Sequence, residues 1–221
     1  GIALASNRQV AEQSNLLVLA VKPNVQSEVI REIRESVLFA KQLCVVSIAA
    51  GRSTDQIISD FGAAIPLVRV MPNVNAQVGQ SMSALCPVGT TDEQLAAARK
   101  LLNSVGETIV LDEKYFPVFT AIASSSPAWI FRMIDAMAEA GVNHGLTKAD
   151  STRIVAQAFA GSAQLLLGGL DNGQVPANFI DRVSSPGGTT IAGLLAAQEA
   201  GLSSAIVAAV DAAVERDHHL G

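Results

Sequence analysis

The sequence has few aromatic residues and few charges, and these shortages exclude whole classes of function. One Trp and one Tyr occur in 221 residues, so the stacked aromatic platforms of proteins that bind single-stranded nucleic acid are not available. The formal net charge is −5, and no basic segment with interleaved aromatics occurs. We therefore expect no nucleic-acid partner.

Cysteines are also scarce, and long apolar runs are missing. Cys44 and Cys86 lie in separate apolar segments with no CxxC pair and no neighbouring His pair, so we predict two buried thiols and no metal site. No uninterrupted apolar run reaches about 20 residues, and no signal-peptide pattern opens the sequence. These features predict a cytoplasmic protein in a reducing compartment with no membrane partner.

What the sequence does contain is apolar and regularly patterned. Hydrophobic residues make up 49% of the chain and charged residues 16%, which is typical of a close-packed globular protein. A continuous apolar run at 16–21 and mostly apolar segments at 43–48 and 67–71 predict strands of a parallel sheet, the first buried on both faces. Amphipathic helices are predicted between them, the first capped by Asn24 and the next by a capping box of Ser53 and Gln56.

The two halves of the chain differ in pattern. Weaker strand signals follow at 81–86 and 107–111, with a helix capped by Thr91 between them. After Glu113 the strand pattern ends and helices follow, with 175–183 as a connecting segment. We predict a parallel, doubly wound α/β dinucleotide-binding domain at 1–112, followed by an all-helical domain at 113–221. Small residues at 156–163 favour close helix packing and, with the lack of a self-contained helical pattern, predict a homodimer.

Three strand ends in the first half are chemically alike, being small or rigid. In parallel sheets, ligands lie beyond the carboxyl ends of the strands, so a flat ring could contact these backbones. Lys22 has two open interpretations, a phosphate contact or a solvated loop lysine. The segments are Ala20, Val21, Lys22 and Pro23; Ala49, Ala50 and Gly51; and Met71, Pro72 and Asn73.

The glycine fingerprint G-x-G-x-x-G of dinucleotide-binding domains does not occur. The segment 16–21 is too apolar for a strand at the edge of a sheet. We therefore expect that the N-terminal part of the sheet is missing and that the chain is a fragment of a longer protein. The alternative is a non-catalytic dimeric remnant that keeps the fold.

A Pro-Gly-Gly turn at 186–188 leads directly into an apolar helical segment. Backbone N–H groups from Gly187 to Thr189, at the positive end of the helix dipole, are suited to a carboxylate or a phosphate. The other interpretation is a tight turn that opens the helix, with Thr189 as its N-cap. From these residues alone, both interpretations stay open.

Five segments together, in this order, resemble pyrroline-5-carboxylate reductases. They are residues 20–23, 47–51, 69–73, 125–129 and 184–190, and the last of them is the family's most distinctive motif. The resemblance implies an NADPH- or NADH-dependent oxidoreductase that forms L-proline from 1-pyrroline-5-carboxylate. It also implies a Rossmann domain followed by a helical dimerisation domain, with further assembly of dimers left open.

The resemblance also assigns residues. The three strand ends would bind the dinucleotide. The loop at 185–190, which we name the glycine loop, would bind the substrate. Thr190 would be the catalytic group near the imine nitrogen. The substrate-binding residues implied are Ser185, Gly187, Gly188, Thr189 and Thr190.

Besides lacking the family's N-terminal strand and glycine fingerprint, the sequence departs from the family at two further points. Three serines, 124–126, precede Pro127 where the family commonly has glycines, and Val175 stands in place of a His. A related imine or 3-hydroxy-acid dehydrogenase is therefore the alternative function. Hydroxyacid relatives generally need a lysine in the helical domain, and Lys148 is the only lysine after Lys114.

Overall fold

The computed structural model describes residues 4–40 and 42–219. Five strands in this part of the chain form one sheet, in the order of the sequence. The strands are β1 (Leu16–Leu19), β2 (Cys44–Ser47), β3 (Leu67–Met71), β4 (Ser81–Val88) and β5 (Gly106–Val110).

Ten α-helices accompany the sheet in the described part of the chain. The first four alternate with the strands, and the last five follow the short α5. They are α1 (Asn7–Gln13), α2 (Pro23–Phe39), α3 (Thr54–Phe61), α4 (Asp92–Leu102), α5 (Phe116–Phe119), α6 (Ser126–Asn143), α7 (Lys148–Leu170), α8 (Pro176–Val183), α9 (Thr189–Glu199) and α10 (Leu202–His218).

The sheet is mixed, so the prediction of a wholly parallel sheet is wrong. Strands β1, β2 and β3 are parallel, whereas β4 is antiparallel to β3 and β5 is parallel to β4. The chain between β3 and β4 contains only a 3₁₀ helix, Val74–Val78. A parallel pair needs a crossover of about a dozen residues or more, so this short link reverses the chain direction.

Helices cover the sheet on two sides through two apolar clusters. Val45 and Leu67 pack with Ile30 and Ile33 of α2 and Phe61 of α3 in one cluster. On the other side, strand residues pack with Ala98 and Leu102 of α4, among them Val46, Val68 and Leu85. Successive strand residues point to opposite faces, so β2 and β3 contribute to both clusters.

Strand β1 differs from its prediction. It ends at Leu19, two residues early, and it is the outermost strand of the described sheet. The side chain of Val18 is 39% exposed, while Leu17 and Leu19 are buried. The strand is therefore buried on one face, and the prediction of burial on both faces is wrong for this structure.

Both cysteines are free and buried, as predicted. Burial raises the pKa of Cys44 to about 11. Burial, and to a smaller extent the charge of Glu113, also raises the pKa of Cys86. Both thiols are therefore protonated at neutral pH and behave as small apolar side chains.

The predicted helix caps are correct in two places, and two other predictions in this part of the fold are wrong. The capping boxes at Ser53 and Thr91 are formed. Thr147 caps α7. Helix α2 has Lys22 as its N-cap, not Asn24, because Pro23 takes the first helical position. The connecting segment predicted at 175–183 is helix α8, which also begins with a proline.

The chain divides into two units. One contains the residues up to Ser125 together with those from Val210 onward, and the other contains Ser126–Ala209. The boundary between residues 112 and 113 stays a prediction.

The helical second half buries little of its own surface. Helices α6 and α7 pack together, but α8, α9 and α10 contain no buried residue. Within the described residues no single helix is long and apolar enough to span a membrane; only α9 and α10 joined, with a bend of 52° between them, reach that length and composition.

We predict that Gly106 is required for the pairing of β4 with β5. Its φ is +150°, and a Cβ at this position would overlap the backbone nitrogen and oxygen of Ser81. Gly106→Ala should lower the free energy of unfolding by about 3 kcal/mol or more, measured by urea denaturation. Gly79→Ala is the control, because Gly79 also has a positive φ, of +71°, but open space around it. The control should lose only about 1 kcal/mol, and equal losses for the two variants would contradict the clash.

Candidate active site

Three parallel strands end together at one edge of the sheet. Leu19 of β1 is in register with Ser47 of β2, and Ser47 is in register with Arg69 of β3. The segments that follow therefore start at the same edge. The structure thus brings together the three strand ends singled out in the sequence, which we name the strand-end edge: Ala20, Val21, Lys22, Pro23, Ala49, Ala50, Gly51, Met71, Pro72 and Asn73.

Most of the strand-end edge is accessible. Ala20, Lys22, Pro23 and Ala50 are exposed, Ala49 is buried, and the other five residues are half-buried. Gly51 has a φ of +71°, a left-handed conformation that favours glycine, in the turn after β2. Small side chains and an accessible backbone fit a ligand that lies flat across several strand ends.

The end of β3 is fixed from one side by a π-helix, Thr120–Ser125. The Asn73 side-chain amide donates to the carbonyl oxygen of Ala123 at 3.0 Å. The Ser124 hydroxyl donates to the carbonyl oxygen of Pro72, also at 3.0 Å. π-Helical turns are rare and occur frequently at functional sites.

Asn73 is also held within its own loop. Its side-chain oxygen accepts a hydrogen bond from the backbone N–H of Asn75 at 3.2 Å, which caps the 3₁₀ helix that follows. Its backbone N–H donates to the hydroxyl of Ser81 at 3.3 Å. The segment 71–73 is therefore rigid before any ligand binds.

A carboxylate that the sequence analysis did not single out lies beside this edge. Glu113 accepts hydrogen bonds from the backbone N–H of Thr54 at 2.8 Å, from the Thr54 hydroxyl at 2.7 Å and from Arg69 Nη1 at 2.6 Å. The Arg69 guanidinium also lies 4.4 Å from the ring centre of Phe116, which is fully buried. We name Thr54, Arg69, Glu113 and Phe116 the Glu113 cluster.

The Glu113 cluster keeps its carboxylate ionised. Burial by itself would raise the pKa of Glu113, but the hydrogen bonds from Arg69 and Thr54 and the positive charge of Arg69 outweigh it. The pKa of Glu113 therefore lies below its ordinary value. Thr54 is the first residue of α3, so the positive end of this helix dipole also favours the anion.

The glycine loop lies at the N-terminus of α9. The N-cap is Gly188, and no side chain caps the helix, so the interpretation of Thr189 as N-cap is wrong. Thr189 and Thr190 are the first two helical residues, and both are exposed. The Thr190 hydroxyl accordingly makes no capping bond and has no hydrogen-bond partner within the described part of the chain.

The backbone of this loop is restricted at two glycines. Gly187 has a φ of +68°, and a Cβ at Gly188 would overlap the Ser185 hydroxyl oxygen. The Gly188 N–H donates to the Ser185 carbonyl oxygen at 3.0 Å. The prediction that this N–H is free to bind a ligand is therefore wrong. The first intrahelical bond of α9 comes from Ala192, which leaves the N–H groups of residues 189–191 as donors.

Lys148 is engaged in an ion pair. Its ammonium nitrogen lies 2.6 Å from Asp135 Oδ1, and the hydrogen bond and charge of Lys148 lower the pKa of Asp135. Lys148 is also the first residue of α7. A structural role at this helix junction accounts for it, which weakens the alternative of a hydroxyacid dehydrogenase.

Comparison with known proteins gives a consistent result over nearly the whole chain. The family model "Pyrroline-5-carboxylate reductase dimerisation" matches residues 113–220. A pyrroline-5-carboxylate reductase of Corynebacterium melassecola is 35% identical over 220 residues, which are 99% of this chain and 80% of the relative. The chain belongs to the pyrroline-5-carboxylate reductase family. The Escherichia coli member is 34% identical, with the same coverage of 99% and 80%.

Solved structures of this family have the same fold. The pyrroline-5-carboxylate reductase of Coxiella burnetii superimposes with a TM-score of 0.92 at 30% identity, over 99% of this chain and 80% of that one. The Plasmodium falciparum pyrroline carboxylate reductase, solved with NADP bound, gives a TM-score of 0.85 at 26% identity, over 99% and 81%. The prediction of a Rossmann-like sheet followed by a helical dimerisation domain is thereby confirmed.

We predict a pH-dependent contribution of Glu113 to stability. Because its folded pKa is lowered, the stabilisation is present above the ordinary value of 4.5 and is lost as the pH falls through the folded pKa. Glu113→Gln should cost about 2 kcal/mol at pH 7, since a partly buried ion pair loses one partner. The difference between wild type and variant, measured by urea denaturation, should shrink below pH 4.5. A difference that stays constant down to pH 3 would contradict this role of the charge.

Proposed function

We propose that this chain reduces 1-pyrroline-5-carboxylate to L-proline with NADPH or NADH, in proline biosynthesis. Its membership of the reductase family supports the reaction. The observation that carries the proposal within the molecule is the glycine loop at α9, with an exposed Thr190 hydroxyl that does not cap the helix. A hydroxyl used only for structure would be expected to bond to its own helix.

The strand-end edge is the proposed dinucleotide site. The accessible backbone at 20–22 and 49–51 and the rigid segment 71–73 would hold the nicotinamide nucleotide, and the exposed Lys22 is available for its phosphates. When bound, the nicotinamide supplies the hydride that reduces the C=N bond of the substrate. The protein's task at this edge is to bind and orient the dinucleotide.

The glycine loop is the proposed substrate site. Its N–H donors at residues 189–191 would converge on the substrate carboxylate, at the positive end of the α9 dipole. Ser185 is exposed and adds a hydroxyl, and the positive φ of Gly187 fixes the turn. These residues replace the water around a carboxylate with fixed donors.

Thr190 is the proposed catalytic residue. Reduction adds a hydride to the imine carbon and a proton to the nitrogen, so a hydrogen-bonded nitrogen makes the carbon a better acceptor. The Thr190 hydroxyl lies in the first turn of α9, held by the helix backbone, and can bond to that nitrogen. Hydride addition builds negative charge on the imine nitrogen, so a hydrogen bond donated by the Thr190 hydroxyl is stronger in the transition state than in the bound substrate, and water supplies the proton that completes the amine.

The reaction is tested directly with the full-length natural protein. Pyrroline-5-carboxylate should cause oxidation of NADPH or NADH, followed at 340 nm, with L-proline as the product by chromatography. Oxidation no faster than without enzyme would reject the proposed function. Activity on a 3-hydroxy acid but not on the imine would favour the alternative dehydrogenase.

Substitutions at Thr190 separate catalysis from stability. Thr190→Val keeps the shape and removes the hydroxyl, so turnover should fall about ten- to a hundredfold while dinucleotide affinity stays within about twofold. Thr190→Ser keeps the hydroxyl and should retain most of the turnover. If both variants turn over within twofold of wild type, Thr190 has no catalytic role.

We infer that the protein is a homodimer through its helical domain, as the matching dimerisation family supports. Helices α7, α9 and α10 carry apolar side chains that are uncovered in the single chain. Large apolar side chains exposed in such number usually mark an interface. Its members include Ile154 (57% exposed), Leu165 (56%), Leu167 (63%), Leu195 (57%), Ile206 (43%) and Val207 (59%).

Light scattering at micromolar concentration should give the mass of two chains or a multiple of it, which also reveals any assembly of dimers. Leu167→Glu or Val207→Glu should dissociate the dimer, because an unpaired charge would be buried. Leu4→Glu, at a site that is 98% exposed in the sheet-containing unit, is the control and should keep the dimer. A stable wild-type monomer would reject the inference.

We also place the enzyme in the cytoplasm, which the two buried, free thiols support.

A further inference from the structure

Resting on the proposed dinucleotide site, we propose that Glu113 is a positioning residue that holds two segments of that site, 49–51 and 71–73, at a fixed separation. The last residue pair in the register of β2 and β3 is Ser47 with Arg69. Beyond that pair the chain leaves β2 through residues 48–53, while β3 continues to Met71. The two segments therefore diverge just where the dinucleotide is proposed to bind.

The Glu113 carboxylate bridges the two segments past this point. One oxygen accepts from both the Thr54 N–H and Arg69 Nη1, and the other accepts from the Thr54 hydroxyl. Thr54 follows Gly51 by three residues, and Arg69 precedes Met71 by two. Three charge-assisted bonds thus join the turn after β2 to the end of β3.

The bridge is rigid because Arg69 is held from two directions. Its guanidinium contacts the ring of Phe116 and the carboxylate of Glu113, and the side chain is only 12% exposed. Glu113 is 28% exposed, so water competes weakly for the pair. A lowered pKa keeps the carboxylate charged at neutral pH, which maintains the bridge under working conditions.

A carboxylate that positions a binding site differs from one that only stabilises the fold. Loss of the positioning role should weaken dinucleotide binding, because the two segments would have to be ordered by the ligand itself. Turnover at saturating dinucleotide and the KM for the imine should change little. Loss of stability alone should change the melting temperature and leave affinity unchanged in the folded protein.

The experiment compares Glu113→Gln with a control of similar stability in the full-length protein. Ile57→Ala removes a fully buried side chain of the same helix, α3, that belongs to the apolar cluster with Val45 and Phe61 and makes no hydrogen bond to Glu113. The Kd for NADPH is measured by titration calorimetry at a temperature where circular dichroism shows every variant folded. Steady-state kinetics then give kcat and the two KM values.

Glu113→Gln should raise the Kd and the KM for NADPH about tenfold, with kcat and the imine KM within about twofold. Glu113→Asp, which keeps the charge on a shorter side chain, should recover part of the affinity. Ile57→Ala should leave the Kd within about twofold despite its lower melting temperature.

Other results would overturn the proposal. A Kd for Glu113→Gln within twofold of wild type, or an equal rise in Ile57→Ala, would leave Glu113 as a stabilising residue only. Wild type that binds neither NADPH nor NADH would overturn the positioning role together with the proposed dinucleotide site. Wild type that binds NADPH but does not reduce the imine would reject the proposed function, and the Kd comparison would still decide the role of Glu113.

Discussion

The parallel pairing of β1, β2 and β3 is the constraint on which the proposed dinucleotide site depends. Parallel strands in register end at the same edge, and here Leu19, Ser47 and Arg69 are aligned. Each strand is followed by small or rigid residues, so the backbone is accessible at all three ends. A dinucleotide needs such a row of backbone contacts because its nicotinamide, ribose and phosphate groups extend over several strands. The apolar side chains of β2 and β3 favour this register, since a slip of one residue would exchange the side chains that pack in the two apolar clusters.

A sheet edge fixes the origin of each loop but not its path. Beyond the last paired residues of the strands, side-chain hydrogen bonds hold the loops in place. Those of Asn73 and Ser124 join the end of β3 to the π-helix, and that of Glu113 joins it to α3. These contacts are partly buried and polar, so they give direction as well as energy. Glu113 lies within the segment matched by the dimerisation family, yet its carboxylate contacts α3 and β3 of the sheet-containing unit. Hydrogen bonds in this chain therefore cross the boundary predicted at residue 112.

Features that depend on neighbours in sequence could be predicted, and features that depend on distant partners could not. The capping boxes at Ser53 and Thr91 involve residues three apart, and their pattern is visible in the sequence. The bridge from Glu113 to Thr54 joins residues 59 apart, and a single carboxylate after a strand gives no sign of its partner. The direction of β4 was readable in principle, because a link that holds only a 3₁₀ helix cannot cross over the sheet. The cap of α9 was not, since glycine and threonine both suit that position.

The α9 helix combines a polar end with apolar sides. Its N-terminus carries the glycine loop and Thr190, while none of its residues is buried in the single chain. Ile191 and Leu194 are only half-buried, and a helix with so few buried contacts would be a poor support for a precise substrate site. In the proposed homodimer a second copy covers these sides and fixes the helix. Substrate binding and dimerisation are then linked by mass action: a ligand that needs an ordered α9 binds the dimer more tightly and shifts the equilibrium toward it.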